Sequence, residues 1–394
     1  MSLEVKNFEF QGSIKTISIV LAVVGVLALL GSFGLNKAVG WVDFLVSTVY
    51  FSMIAVSGIF FLSLGGVVQA SWLTPYKRIP EAMTKFLPVT FVCMLVMYFG
   101  YHTLYEWTHT ELVMNDPILR EKVAWLNEPF FFIRTVIIFS LWILMAWALR
   151  SISKKMDTDG SEALSLKLQK YSAVFLIVFS LTISFAAFDW VMSIEPHWFS
   201  TIFGVYMFAG SFVSGIAFTT IAVIKLRDWG YLKGIISDDH LHDLGKWMFG
   251  MSVFWAYIWI SQYLLIWYAN IPEETEYYVL RHDYWNAQFF INLIINFIVP
   301  FFVLMTREAK RNTKVLMTVA CILLFGHFFD MYLMVAPKVF HHYHAHISGY
   351  GILQLLQFIG FFGLFVFVVG RALSKMNLVS KEDPTLEEGL HLHQ

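Results

Sequence analysis

Cysteine is almost absent from this sequence. Cys93 and Cys321 are the only two among 394 residues, and both lie in apolar segments. Iron–sulfur clusters and thiolate zinc sites are held by groups of cysteines, often in C-x-x-C pairs, and the chain has no such pair. The sequence therefore excludes a cluster or a thiolate metal site built from this chain alone, and it offers no disulfide framework.

Charge is also scarce. Asp, Glu, Lys and Arg make up 14% of the residues, whereas a soluble domain usually has about a quarter. Hydrophobic residues make up 58%, and the mean hydropathy is +0.65. We therefore predict an all-α polytopic membrane protein, since windows of roughly twenty apolar residues identify spanning helices. The ten predicted spans lie near residues 14–35, 43–73, 83–109, 129–150, 168–190, 199–226, 244–271, 280–305, 313–336 and 350–373.

Lysine and arginine are distributed unequally between the two sides of these spans. Twenty-one of them lie at the N-terminus, in the even-numbered loops and at the C-terminus, five lie in the odd-numbered loops, and Arg134 lies inside span four. The positive-inside rule therefore predicts that both termini are cytoplasmic. The stretch before span one has no A-x-A-like cleavage site, so we expect that span to be retained.

One pattern occurs twice: Phe-Asp, six residues, Pro, two residues, Phe. The copies are Phe188-Asp189…Pro196…Phe199 and Phe329-Asp330…Pro337…Phe340. Each copy is predicted to close an apolar segment and to place a carboxylate near the outer end of a spanning helix. An ionisable group in that position is costly to bury, which makes it a functional-site hypothesis.

Other matches occur in the same order and indicate an internal duplication. Spans two and six share Val-Ser-Gly-Ile-x-Phe, at 56–61 and 213–218. Spans four and eight begin with Asn-x-x-Phe-Phe, at 127–131 and 286–290. A parallel repeat of spans two to five in spans six to nine explains this order.

The duplication predicts two four-helix bundles, residues 43–198 and 199–340, with spans one and ten as flanking helices. Small residues at Ser57/Gly58 and Ser214/Gly215 are expected where the helices pack. The tail, 374–394, is predicted to be cytoplasmic. It is expected to dock on a partner or to stay mobile.

Acid and histidine side chains near the predicted outer side form the candidate site. His327 and Asp330 are spaced i, i+3, and His102, Glu106 and His109 are spaced i, i+4, i+7, so each set shares a helix face. Histidines and carboxylates accept the hydroxyl protons of a quinol or carry protons along a path. Interfacial polarity or ties between helices would explain the same residues. The candidates are Asp330, His327, Asp189, His102 and Glu106.

Several other polar residues have structural explanations. Arg134 needs a carboxylate partner, which Asp189 or Glu106 would supply. Glu195 is expected to be a solvated loop acid. In span eight, the amides of Gln288, Asn292 and Asn296 either join helices by hydrogen bonds or line a hydrated path. The amides of Gln262, Gln354 and Gln357 are expected to join helices by hydrogen bonds.

The histidine-rich loop from His341 to His346 has the composition of a metal site, but we favour a solvated or partner-facing loop. Membrane haems use histidine pairs on facing helices, and only His102 with His327 would form an intramembrane pair. We therefore expect no haem in this chain.

Two longer runs carry a family resemblance. The runs Phe188–Thr201 and His242–Thr275 resemble the NrfD/PsrC-like membrane subunits of bacterial alternative complex III, and specifically its ActF-type quinol:cytochrome c oxidoreductase subunit. The resemblance covers nearly the whole chain, including the ten spans and the two bundles.

The resemblance implies a subunit of a quinol-oxidising respiratory complex in a bacterial inner membrane. Quinol or menaquinol would be the substrate, and iron–sulfur clusters and c-type haems would lie on partner subunits. The expected partners are a sister NrfD-like subunit, an iron–sulfur subunit, c-type cytochromes and lipids, without nucleic acid or a redox cofactor in this chain. The chain would supply outer-side proton-transfer residues, with or without a quinol site of its own. Two alternatives stay open: a free-standing ion-coupled transporter and a purely structural membrane anchor.

Overall fold

Ten helices among the described residues are each long and apolar enough to cross a membrane. The computed structural model describes residues 6–343 and 351–392. The predicted all-α, ten-span fold is confirmed. In chain order the helices are α1 Gly12–Leu35, α2 Lys37–Val68, α3 Arg78–Phe99, α4 Glu128–Lys155, α5 Glu162–Trp190, α6 Phe203–Asp228, α7 Asp238–Ala269, α8 Pro272–Val303, α9 Thr313–His342 and α10 Ile352–Leu373.

The two faces of the bundle are named by the chain ends. Ten crossings bring the segment before α1 and the segment after α10 to the same side. We call that side the terminal face and the other side the opposite face. That the terminal face is cytoplasmic stays a prediction of the positive-inside rule.

Side chains at the helix ends satisfy backbone groups that the helices cannot pair internally. Asn36, Asn127 and Asn312 precede α2, α4 and α9, and each accepts a backbone N–H bond from the first turn at 2.8 to 3.0 Å. Gln69 and Asn270 follow α2 and α7 with φ of +50° and +49°, in the left-handed region. These caps satisfy some of the backbone groups that remain unpaired at the helix ends.

The helices α2, α6 and α9 form the centre of the molecule. In the most apolar 18-residue stretch of each helix, 67%, 83% and 83% of the residues are buried. The share is half or less in the other spanning helices. A Cβ on Gly215 of α6 would lie 1.8 Å from Oγ of Ser57 on α2, so the two backbones approach closely. The hydroxyls of Tyr50 and Ser214 lie 3.2 Å apart beside this contact. The predicted small-residue packing is confirmed.

The two halves of the chain have the same neighbour order. In the first half, α2 and α4 each pack against α3 and α5. In the second half, α6 and α8 each pack against α7 and α9. The halves meet where α2 contacts α6 and α9, while α1 packs mainly on α10. The internal duplication itself stays a prediction.

Gly215→Ala is expected to destabilise the protein by about 1–3 kcal/mol, because the new methyl would force Ser57 and α2 away. Gly250→Ala in α7 is the matched control, since nothing lies within 4 Å of a Cβ there. The control should be neutral or stabilising by up to about 1 kcal/mol. Thermal unfolding in detergent measures both variants, and equal midpoints would contradict the close approach of α2 and α6.

The third predicted span does not continue as one helix to residue 109. α3 ends at Phe99, and the chain goes on as two separate short turns, Tyr101–Leu104 and Glu106–Thr108. Gly100 lies at the break, where a Cβ would be 2.1 Å from the ring of Trp41. The predicted single helix through this segment is therefore wrong.

The tail after α10 docks on the terminal face of its own chain. It contains a short helix, α11, at Leu386–Leu390. Asp383 forms a buried ion pair with Lys77, and the carbonyl oxygen of Gly389 lies 3.0 Å from Nε2 of His240. For the described residues 374–392, the expectation of a mobile tail is therefore wrong, and docking on a partner stays a prediction.

The ion pair of the tail depends on the charge of Asp383. Burial disfavours that charge, but the Lys77 ammonium together with hydrogen bonds from Lys77 and Thr385 outweighs burial and lowers the pKa of Asp383. An unfolded aspartate titrates near 3.9, so the pair stabilises docking above about pH 4. This stabilisation is lost as the pH falls from there through the lowered pKa.

Asp383→Asn is expected to release the tail and to speed trypsin cleavage after the exposed Lys381 by about ten-fold. The amide leaves Lys77 buried without its anion, and such a loss costs about 1–3 kcal/mol. Glu387→Gln changes an exposed acid of the same tail and is the control. Cleavage followed by mass spectrometry should be unchanged in the control; equal rates in both variants would show that the ion pair does not hold the tail.

Candidate functional site

Asp330 lies in the interior of α9. The helix continues through Pro337 to His342, so residues 331–342 follow Asp330 in helical conformation, over about 18 Å. Its side chain is buried, with 2% of the residue exposed. The prediction that the second Asp–Pro segment closes its helix is wrong, whereas Asp189 does lie one residue before the end of α5.

Three neutral side chains donate hydrogen bonds to the Asp330 carboxylate. The Tyr206 hydroxyl and the Asn292 amide donate to Oδ1, the amide at 2.7 Å. The Trp255 indole donates to Oδ2 at 3.1 Å. Over residues 6–343 and 351–392, no lysine or arginine forms an ion pair with Asp330. The donors come from α6, α8 and α7, so the carboxylate lies at the centre of the second group of four helices.

A π-helical turn in α8 aligns a second amide with this cluster. The turn covers Ile294–Ile298, and the Asn296 amide inside it donates to Oδ1 of Asn292 at 2.7 Å and to the Gly326 carbonyl at 3.0 Å. A Cβ on Gly326 would lie 2.3 Å from Oδ1 of Asn296, so this approach requires glycine. Such turns are frequent at functional sites. The two asparagines extend the polar network along α8 toward the terminal face.

His327 lies one turn before Asp330 on α9 and is buried. Neither ring nitrogen has a hydrogen-bond partner among the described residues. Its ring meets the Trp255 ring edge-on, with 5.4 Å between centroids, and Gly210 of α6 leaves room for Nδ1. Buried polar groups are nearly always bonded. His327 is therefore available to accept a proton or to bond a substrate hydroxyl.

Asp189 is held in an ion pair with Arg134 of α4. Nε of Arg134 donates to Oδ2 at 2.6 Å and Nη2 donates to Oδ1 at 3.0 Å. The Trp125 indole also donates to Oδ1 at 3.0 Å. The guanidinium lies 4.2 and 4.1 Å from the ring centroids of Trp125 and Phe130. The predicted carboxylate partner for Arg134 is confirmed, and it is Asp189.

The two aspartates of the repeated pattern therefore differ in their surroundings. The bidentate pair at Asp189 holds both side chains in place and is costly to break. Asp330 forms no ion pair with a described residue, and the Arg281 guanidinium acts on it only at longer range. The Tyr206 hydroxyl can form a hydrogen bond with both the ionised and the protonated Asp330 carboxyl group, because a hydroxyl can donate or accept. The geometry favours Asp330 over Asp189 as a group that exchanges protons.

Arg281 of α8 supports a proline inside α9. Pro337 has no N–H to donate to the carbonyl of Leu333, four residues earlier. Arg281 donates to that carbonyl and to the Met334 carbonyl, each at 3.0 Å, and to the Tyr277 carbonyl at 2.8 Å. The guanidinium thus replaces the missing helical hydrogen bond, which explains how α9 continues past Pro337.

The same guanidinium pairs with Glu195, in the loop between α5 and α6. Nη2 of Arg281 lies 2.9 Å from Oε1 of Glu195, and the residues are 2% and 7% exposed. The expectation that Glu195 is a solvated loop acid is wrong. Instead, Glu195 and Arg281 form a buried tie between the two halves of the chain.

His102, Glu106 and His109 line one small cleft at the opposite face, although they do not share a helix. Oε1 of Glu106 lies 3.7 Å from Nζ of Lys338 and 3.4 Å from Nδ1 of His342. Nε2 of His109 lies 2.8 Å from the His102 carbonyl oxygen. None of the contacts between described residues joins this cleft directly to Asp330. The five candidates therefore fall into three places and not one.

The predicted amide ties are partly present. Gln262 donates to the Tyr278 hydroxyl at 3.0 Å, which joins α7 to α8, and Gln354 donates to Asp43 at 2.8 Å, which joins α10 to α2. Gln357 is buried, but in the described chain it has no hydrogen-bond partner. The prediction is confirmed for the first two glutamines and wrong for the third.

The histidine-rich loop is described only as far as Tyr343. His344 and His346 lie outside the described residues, so the metal question for that loop stays open. Within residues 6–343 and 351–392, no group of three or more His, Cys, Asp or Glu side chains is placed to hold a metal ion.

Sequence reasoning missed three further buried acids of the spanning helices: Asp43, Glu81 and Asp243. Asp43 of α2 accepts hydrogen bonds from Ser32 at 2.6 Å and from Gln354 at 2.8 Å. It is the seventh residue of its helix, counted from Lys37, and the sequence placed it at the start of span two. Tyr206 and Trp255, the donors to Asp330, were also missed, because each is one aromatic residue among many.

No family model matches the chain, and no curated protein matches it. Its function is therefore inferred from the membrane fold, the Asp330 cluster and the resemblance of its sequence runs.

Proposed function

We propose that the chain is a membrane subunit of a quinol-oxidising respiratory complex in a bacterial inner membrane, and that Asp330 and His327 exchange protons in it. The assignment to a complex is supported by the runs Phe188–Thr201 and His242–Thr275, which resemble NrfD/PsrC-like subunits of alternative complex III. The proton role is supported by one observation: the buried Asp330 accepts hydrogen bonds from three neutral donors, forms no ion pair with a described residue, and lies one turn from a histidine that has no partner in the described chain.

Polar groups continue from Asp330 toward the opposite face. Tyr277 lies within electrostatic range of Tyr206, and Lys338 lies within electrostatic range of Glu195. Lys338 in turn is next to Glu106 in the surface cleft. Groups able to carry or stabilise a proton thus occur at each step outward: Asp330, Tyr206, Tyr277, Glu195, Lys338 and Glu106.

In this function the redox groups belong to partner subunits, and the chain supplies proton acceptors. Oxidation of a quinol to a quinone releases two electrons and two protons. The electrons pass to the partners, and His327 and Asp330 each take up one of the two protons and pass it to the opposite face. A quinol site in this chain would lie beside His327, whose nitrogens face no other partner in the described chain.

Purification of the tagged chain from its native membrane tests the assignment to a complex. We expect it to come with subunits that carry c-type haem and iron–sulfur clusters, and with quinol:cytochrome c reductase activity. A chain that comes alone would overturn the assignment and favour the ion-coupled transporter. A photoreactive quinone that labels only a sister subunit would restrict this chain to proton transfer.

A further inference from the structure

We propose that a groove between α1, α6 and α10 binds one anionic phospholipid from the leaflet on the terminal face. The groove has a volume of about 1070 Å³, counting the space open to the membrane. Its lining is almost wholly apolar and comes from three helices and from the segment before α1. Representative lining residues are Ile17, Leu21, Phe218, Ala222, Phe362 and Val366.

The length of the groove matches one leaflet. On α10 the lining runs from Phe362 to Leu373, which is about 16 Å of helix. Half of a hydrocarbon core is about 15 Å thick. The groove begins at the terminal face, where Phe8 and Phe10 border it, and ends near mid-membrane.

The inner end of the groove is closed by backbone contact between α1 and α10. A Cβ on Gly25 would lie 2.4 Å from Cα of Gly360, and a Cβ on Gly363 would lie 2.5 Å from Cβ of Leu21. A partner helix that crosses the whole membrane would not fit a groove that stops halfway. An acyl chain, which itself stops at mid-membrane, fits this shape.

The open end of the groove carries a cation without a counter-charge. Lys225 is exposed, and it forms no ion pair in the described chain, whereas its neighbour Arg227 pairs with Asp238 at 2.9 Å. Trp229, one turn further on, is 46% exposed, and tryptophan is enriched at the headgroup level of membranes. An ammonium at this level attracts a lipid phosphate. Apolar walls and one terminal cation together select an anionic phospholipid over an uncharged isoprenoid tail.

This lipid site does not depend on the proposed respiratory function, because it shares no residue with the Asp330 cluster. It would hold α1 and α10, the two flanking helices, against the central helix α6. The ligand class follows from the groove alone.

Native mass spectrometry of the full chain, delipidated in detergent and titrated with phosphatidylglycerol or phosphatidylcholine, tests the site. We expect one tightly held phosphatidylglycerol. Lys225→Gln should lower its affinity about five-fold, as expected for one lysine near a membrane surface. Lys233→Gln, at an exposed lysine outside the groove, is the control and should bind as the wild type does.

Filling the groove should abolish binding. Ala222→Trp blocks its centre, and Ile17→Trp is a second variant at a position that is 56% exposed and tolerant of size. Unchanged lipid binding in both variants would overturn the site, as would equal affinities for Lys225→Gln and the wild type. A photo-cross-linker at Ile17 in native membranes should attach to phospholipid; attachment to a polypeptide would assign the groove to a protein partner instead.

Discussion

Asp330→Asn is expected to lower quinol-dependent turnover of the assembled complex by about 100-fold or more, the usual effect of removing an acid–base group. The amide fills the same space and keeps bonds to Tyr206 and Trp255, but it carries no exchangeable carboxyl proton. Proton release should fall together with quinol oxidation. Turnover and pH change, measured on purified complex in lipid vesicles, report both quantities.

Asp189→Asn is the matched control for this prediction. It leaves Arg134 buried without its anion, so the thermal midpoint should fall while the turnover of the complex that does assemble stays near wild type. If Asp330→Asn keeps wild-type turnover and proton release, the proton role of Asp330 is wrong. If Asp189→Asn is the inactive variant, the first half of the chain carries the role.

Arg281→Met is expected to destabilise the protein by about 3–5 kcal/mol, the largest structural effect that we predict. The change leaves Glu195 buried and unpaired. It also leaves the Leu333 carbonyl without a donor, because Pro337 cannot replace the arginine. Thermal unfolding in detergent, or the yield of folded protein from the membrane, measures the loss.

Arg120→Met removes an exposed arginine and is the control for Arg281→Met. Its midpoint should stay close to wild type, since exposed charges contribute little. Glu195→Gln should have an intermediate effect, because the amide still accepts a hydrogen bond from Arg281. If Arg281→Met and the control unfold at the same temperature, the Arg281–Glu195 pair does not stabilise the protein.

The spans could be predicted because their cause is local. A run of about twenty apolar residues must cross the membrane as a helix, whatever its neighbours do. The pairing of Arg134 with a carboxylate was predictable for a similar reason, since few groups other than a carboxylate can neutralise a guanidinium inside a span. The contact of Gly215 with Ser57 followed from the small residues of both spans.

The errors arose where a distant residue decides the local structure. Because proline usually ends a helix, the sequence predicts that span nine ends just before Pro337. Arg281, more than fifty residues earlier, supplies the missing hydrogen bond. The sequence around Pro337 does not indicate this distant donor. Glu195 looked solvated for the same reason: its partner comes from another part of the chain. A proline inside a long apolar run is a signal that a donor must exist elsewhere.

The candidate site was found in part. Asp330 and His327 were identified by spacing, but their three donors come from three other helices and only Asn292 was singled out. His102, Glu106 and His109 were placed on one helix that the structure breaks at Gly100. Sequence spacing predicts a shared face only while a helix continues.

The Arg281–Glu195 tie has a mechanical consequence. A carrier that works by alternating access rocks one repeat against the other. Here Glu195, in the loop between α5 and α6, pairs with the Arg281 guanidinium. The same guanidinium donates hydrogen bonds to backbone carbonyls of α8 and α9. Rocking of one half against the other would have to break the Glu195–Arg281 pair, at about 1–3 kcal/mol for each unsatisfied group. This buried pair therefore opposes movement between the halves, which fits the proposed proton path better than a moving carrier.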